Sequence, residues 1–162
     1  MDEVFIQNAL TSASRRGLQL AERLGFGIHG IIYVAENKFK SGRTAVKVHR
    51  ESGPYFRERA VYERLKEVGV SEVLGFNVPQ LIEVNDDLRI VEMSIVKRPF
   101  LLGFAGAYLD RLPEFSAEIW AEWESGKREQ FGGAWPQVRA ALDALEEWEI
   151  YMVDVSPGNV AL

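Results

Sequence analysis

Apolar positions alternate loosely along the first half of the chain and recur at helical spacing along much of the second. "LQLAERLGFGIHGIIYVAE", Leu18 to Glu36, alternates and is interrupted by glycines, which predicts two strands joined at Gly25–Gly30. "NKFKSG" (37–42) has turn composition, and "RTAVKVH" (43–49) reads as a third short strand. "ESGP" (51–54) offers a helix start, with Pro54 suited to a first turn. Phe56, Ala60, Val61, Leu65 and Val68 then recur at helical spacing, and Gly69 is a C-terminal stop. "VPQLIEV", the turn "NDD" and "LRIVEM" predict a strand–turn–strand pair over 78–93. Residues 1–16 read as a short polar helix or arm.

From Arg98 onward the pattern predicts mostly helix. Residues 99–112 are apolar. Residues 113–130 are amphipathic, with Ile119, Trp120 and Trp123 on one side. Residues 136–150 carry Val138, Leu142, Leu145 and Trp148 at helical spacing. Strands first and helices later predict an α+β fold.

Composition narrows the classes. The chain has 162 residues, enough for one domain or two small lobes, and 47% of them are hydrophobic, enough to bury a core. A net charge of −5 argues against binding nucleic acid or an anionic membrane non-specifically, while leaving room for a local basic site. With no cysteine there is no disulfide, thiolate metal site or cysteine nucleophile. The N-terminus lacks the pattern of a secretory signal, and the longest apolar run, Pro99–Tyr108, is too short to span a bilayer. A soluble, cytoplasmic protein is the expectation.

Four features carry chemistry. Gly25, Gly27 and Gly30 form G-x-G-x-x-G, whose bare backbone can approach phosphate oxygens. "IIYVAE" follows as a strand rather than a helix, so the motif suits a flap over phosphates or a plain glycine-rich hairpin. Lys47 lies between apolar residues on a strand, where its ammonium must reach a partner or water. Glu58 sits beside the apolar helix face of Val61 and Leu65 and can aim at Lys47; Glu63 is the competitor. Asp154 and Asn159 flank the turn formers Ser156, Pro157 and Gly158, placing a carboxylate and an amide on one tight loop. A carboxylate can orient or deprotonate a hydroxyl, and a carboxamide oxygen can bind Mg2+. Neither His29 nor His49 has a second ligand at metal spacing.

Glycine flap, strand lysine, helix glutamate and D-x-x-x-x-N follow one another in the order of the protein-kinase-like superfamily, which the sequence resembles over residues 18–162. "GFGIHGII" resembles the phosphate loop, "TAVK" resembles V-A-I-K, and "DVSPGN" resembles the catalytic loop, its "SPGN" closer to aminoglycoside-phosphotransferase-like and atypical small kinases than to ordinary protein kinases. The resemblance implies a five-stranded antiparallel N-lobe with one helix (1–93, including the arm 1–16) and a minimal, mostly helical C-lobe (94–162). It implies that Gly25, Gly27 and Gly30 cover the phosphates of ATP and that Lys47 contacts them and pairs with Glu58. Val91 would line the pocket, with Glu92, Met93 and Ser94 as the hinge that holds adenine. Asp154 would be the catalytic carboxylate and Asn159 a ligand of Mg2+.

Two departures stand out. Met152 and Val153 precede Asp154 where the family has H-R-D or H-G-D, and the D-F-G segment that donates the main metal aspartate is missing after Asn159. The expectation is a pseudokinase-like protein that binds ATP or a related nucleotide with weak or absent phosphotransfer. An active minimal phosphotransferase using Asp154 and Asn159 is the alternative. Another is a non-enzymatic scaffold or regulator, with a protein partner or homo-oligomer contact through the tryptophans of 120–135.

Overall fold

The computed structural model describes residues 2–162, so Met1 of the expected arm lies outside the described residues. The arm is a helix, α1 (Asp2–Arg15). Then come β1 (Leu18–Phe26), β2 (Gly30–Asn37), β3 (Arg43–His49) and α2 (Ser52–Glu67). Gly69, at φ +71°, turns the chain out of α2. Next are β4 (Glu72–Val73), β5 (Phe76–Asn77), β6 (Leu81–Asn85) and β7 (Ile90–Ser94). Five strands form one antiparallel sheet in the order β1-β2-β3-β7-β6. The chain is therefore α+β, as its pattern predicts.

Both faces of this sheet are covered. On one, Ala9 and Ala13 of α1 stand one turn apart and pack on Leu18, Ile31, Ala35, Val46, Val48 and Ile90. On the other, Tyr55, Val61, Tyr62 and Leu65 of α2 join Ala45, Val91 and Met93. Side chains along a strand alternate between faces. Val46 and Val48 therefore point to α1, while Ala45, Lys47 and His49 point to α2. This explains why β3 is buried without a break from Ala45 to His49.

The second half departs from expectation. Residues 98–112, expected as helix, form β8 (Phe100–Leu101), a 3-10 turn at Phe104–Gly106 and β9 (Tyr108–Leu109). Gly103 has φ +80°, a conformation incompatible with a continuous helix, and Gly106 disfavours one as well. Helices α3 (Ala117–Phe131) and α4 (Trp135–Glu146) follow, then β10 (Ile150–Tyr151) and β11 (Val160–Ala161). Helix α3 starts where the Ser116 hydroxyl accepts the Ile119 N–H. Helix α4 stops short of the expected residue 150, because Glu149 at φ 55° redirects the chain into β10.

Pairings across the sequence join the two halves. Strands β11, β8, β5 and β4 form a second sheet, with Asn77 beside Phe100 and Val160 beside Leu101. One apolar core runs from Ala45 and α2 through Leu101 and Phe104 to Val138, Leu142, Leu145 and Val160. The expected boundary at residues 93 and 94 thus crosses a shared core. No helix among the described residues is long and apolar enough to cross a membrane.

Candidate functional site

A cavity of about 500 Å³ lies between the first sheet and the second half of the chain. It is lined by Gly25, Gly27 and Gly30 of the β1–β2 flap, by Lys47 of β3, and by Asp154 and Asn159 of the loop between β10 and β11. Residues drawn from positions 25 to 159 therefore meet in one place. Its walls are otherwise mainly apolar, with Leu24, Ile32, Ala45, Ile95 and Phe100 among them. Volume, apolar walls and a few convergent polar groups are the attributes of a small-molecule site.

The floor is a buried charge cluster. Lys47 Nζ stands 2.7 Å from Glu58 Oε1, and His49 Nε2 is 2.7 Å from the same oxygen. The other oxygen, Oε2, accepts the backbone N–H of Phe104 at 2.7 Å. Glu58 is fully buried, and burial by itself would raise its pKa. The attraction of Lys47, the hydrogen bond from His49 and the charge of His49 outweigh that and hold the carboxyl down at about 2. The choice between Glu58 and Glu63 is thereby settled: Glu63 pairs with Arg59 on the outer face of α2. His49, left without a role by spacing, is a structural partner of Glu58. Its Nδ1 faces the Arg89 carbonyl at 3.1 Å.

The three glycines of the flap differ. A Cβ on Gly30 would come 2.1 Å from the Val48 carbonyl, so Gly30 is required by the close crossing of β2 and β3. A Cβ on Gly25 or Gly27 would meet nothing within 4 Å. Those two positions leave open space over the cavity. The hairpin is closed by Gly27 N–H to the Gly30 carbonyl at 2.9 Å, and Arg50 N–H binds the His29 carbonyl at 3.0 Å.

The opposite wall is the loop 154–159. Asn159 closes it. Its Oδ1 accepts the Ser156 N–H at 2.8 Å, and its Nδ2 donates to the Asp154 carbonyl at 3.0 Å. The Asp154 side chain is 60% exposed, and His29 Nε2 from the flap lies 3.8 Å from its Oδ2. The turn at 103–106 packs against both residues. A Cβ on Gly103 would come 3.0 Å from Asn159 Cβ, and one on Gly106 would come 3.0 Å from Asp154 Cβ and Oδ2. The same turn is tied to α2 through Phe104 N–H on Glu58 and through Arg57 Nε on the Ala105 carbonyl at 2.9 Å. Helix α2, the lysine and the loop are thus joined through one short segment.

Of the residues expected to line the pocket or form a hinge, Val91, Glu92, Met93 and Ser94, one lies on the cavity wall. Ser94 lines the cavity, and the wall continues through Ile95 and Val96. Val91 and Met93 do not line it; they belong to the core behind it. Glu92 has the parity of Ile90, so its carboxylate points to the α1 side, where it takes Arg16 at 3.3 Å and the Thr44 hydroxyl at 3.1 Å.

Sequence reasoning missed a support from α3. Trp123 Nε1–H donates to the Val153 carbonyl at 3.0 Å, and Lys127 Nζ donates to the Val155 carbonyl at 2.6 Å. Burial holds the Lys127 pKa below its ordinary value, against the smaller opposing pull of the Asp154 charge. The i, i+4 spacing puts Trp123 and Lys127 on one face of α3, but nothing in the sequence marks the carbonyls they reach. The tryptophans of 120–135 stack edge-on into a ladder, Trp120 to Trp123 at 5.8 Å and Trp123 to Trp135 at 5.7 Å, and none of the three is in the exposed class.

Among the described residues no group of three or more histidine, cysteine, aspartate or glutamate side chains could hold a metal ion. No protein-family model matches the chain, and no curated protein matches it.

Proposed function

We propose that the chain is a protein-kinase-like nucleotide-binding protein that takes ATP or a related nucleotide in this cavity and transfers phosphate weakly or not at all. The observation that carries the reading is the buried Lys47–Glu58 pair at the floor of a cavity roofed by a glycine flap and walled by the Asp154–Asn159 loop. A lysine whose countercharge is fully buried presents its ammonium in a fixed place. Open space beside Gly25 and Gly27 leaves room for phosphate oxygens against the bare backbone of the flap. The apolar wall from Ile32 and Ala45 to Ile95 suits a flat nucleobase.

The residues present fit the nucleotide better than they fit a tightly held metal. Asp154 is the one carboxylate among the described residues lining the cavity, and the Asn159 amide is engaged in closing its own loop. Mg2+ is commonly bound by one or two carboxylates together with substrate phosphates, so Asp154 and Asn159 would hold it jointly with the nucleotide. Bound there, it would neutralise charge on the phosphates. Asp154 would orient an acceptor hydroxyl and accept its proton. One carboxylate shared between those two tasks supports binding with little turnover.

The test is calorimetric titration of ATP, with and without Mg2+, into wild type, Lys47→Ala and the exposed-site variant Asp154→Asn. The expected result is binding that weakens at least tenfold in Lys47→Ala, with the gain from Mg2+ reduced in Asp154→Asn. Absence of binding by folded wild type under both conditions would sink the reading. Steady ATP turnover abolished in Asp154→Asn would favour the active phosphotransferase instead.

A further inference from the structure

No residue of helix α3 is fully buried; Trp123 and Phe131 pack half-buried against the core, and the same Trp123 also reaches the loop before β11. What it delivers is a pair of hydrogen bonds to one loop. The Val153 and Val155 carbonyls stand on either side of Asp154, and Trp123 and Lys127 take one each, at 3.0 and 2.6 Å. Residues four apart lie one above the other on a helix, so a single face of α3 grips both.

Both donors are themselves held. Trp123 lies edge-on to Trp120 and to Trp135, and the Arg139 guanidinium sits 5.5 Å from its ring centre. The Lys127 ammonium is shared with Gln130 Oε1 at 3.0 Å. The bonds of Asn159 close the 154–159 loop on itself. They fix its shape, and the bonds from α3 fix where that shape sits. Met152, directly before this stretch, is buried and offers no polar support.

We propose that Trp123 and Lys127 are positioning residues for Asp154, setting where its carboxylate stands in the cavity. The inference rests on the reading of Asp154 as the carboxylate that meets a bound nucleotide. Lys127 has a second effect, because its charge attracts that of Asp154. A lysine serving only as packing would be replaced without loss by methionine, which keeps a long stem and loses the donor. An arginine keeps both stem and donor.

The test uses the full chain with Trp123→Phe, Lys127→Met and Lys127→Arg. Amide hydrogen exchange over 154–160 is measured without ligand, and calorimetry follows ATP with Mg2+ alongside adenosine. Adenosine carries no phosphate and so makes no demand on Asp154. Trp123→Phe and Lys127→Met are expected to speed exchange in the loop about fivefold. They should weaken ATP–Mg2+ binding by about threefold to tenfold while leaving adenosine unchanged, and Lys127→Arg should restore both. Equal losses for ATP and adenosine would reduce the pair to general structural support and overturn the proposal. So would wild-type exchange and affinity in Lys127→Met. If wild type binds neither ligand, the nucleotide reading fails by itself, and unchanged loop exchange in both Trp123→Phe and Lys127→Met would then overturn the clamp independently.

Discussion

Glu58→Gln separates the buried pair from every other charge in the molecule. Glu58 is fully buried and accepts from Lys47, His49 and the Phe104 N–H. Glutamine has nearly the same volume but no charge, so Lys47 is left buried without its counterion. Breaking a buried pair in this way costs about 3–5 kcal/mol. Linkage gives a second route to the size. A carboxyl held at about 2 in the folded chain, against an ordinary 4.5, contributes roughly 3 kcal/mol above the higher value. The folded value is the depressed one, so this stability is fully present above pH 4.5 and is lost as pH falls from 4.5 towards 2. Urea unfolding followed by tryptophan fluorescence should place Glu58→Gln about 3 kcal/mol below wild type at pH 7. The difference should shrink between pH 4.5 and 2. Glu63→Gln, which removes an exposed partner of Arg59, should lie within about 1 kcal/mol of wild type at pH 7. A Glu58→Gln protein as stable as wild type at pH 7, or one with the same acid dependence, would refute the account of the cluster.

Four further substitutions probe the geometry. Gly103→Ala forces a side chain onto φ +80° and against Asn159, and should cost at least about 1–2 kcal/mol in thermal or urea unfolding. Gly106→Ala should cost about 1–2 kcal/mol, because the Asp154 carboxylate can swing away but its Cβ, also 3.0 Å off, moves only with the loop backbone, and ATP–Mg2+ affinity should fall as the carboxylate is displaced. Asn159→Ala removes the acceptor of Ser156 N–H and the donor to the Asp154 carbonyl. A loss of about 1–2 kcal/mol is expected, and an unchanged unfolding midpoint would count against the loop closure described. Leu145→Ala opens a hole in the core shared by both halves and should cost about 2–5 kcal/mol in a single unfolding transition. Two separate transitions, with the strands of the first sheet unaffected, would mean that the halves fold independently.

What could be read from the chain alone was local in origin. Strands β1, β2 and β3, helix α2 and the pair β6–β7 follow from alternation, helical spacing and the glycines, proline and acidic turn that separate them. The meeting of Lys47 with Glu58 was legible for the same reason. Strand parity sets Lys47 on one face, and the spacing of Val61 and Leu65 turns Glu58 towards it. Parity would also have turned Glu92 away from the cavity, had Ile90 been assigned to the α1 side. Tertiary structure decided the rest. Strands of two residues, such as β5, β8 and β11, are too short to show a period and exist only because distant segments pair. The apolar run 99–112 was misread as helix because apolarity reports burial and not conformation, whereas Gly103 and the bonds to α2 impose a turn. The grip of Trp123 and Lys127 on the loop joins residues about thirty apart, and hydrophobic spacing carries no record of a backbone carbonyl that far along the chain.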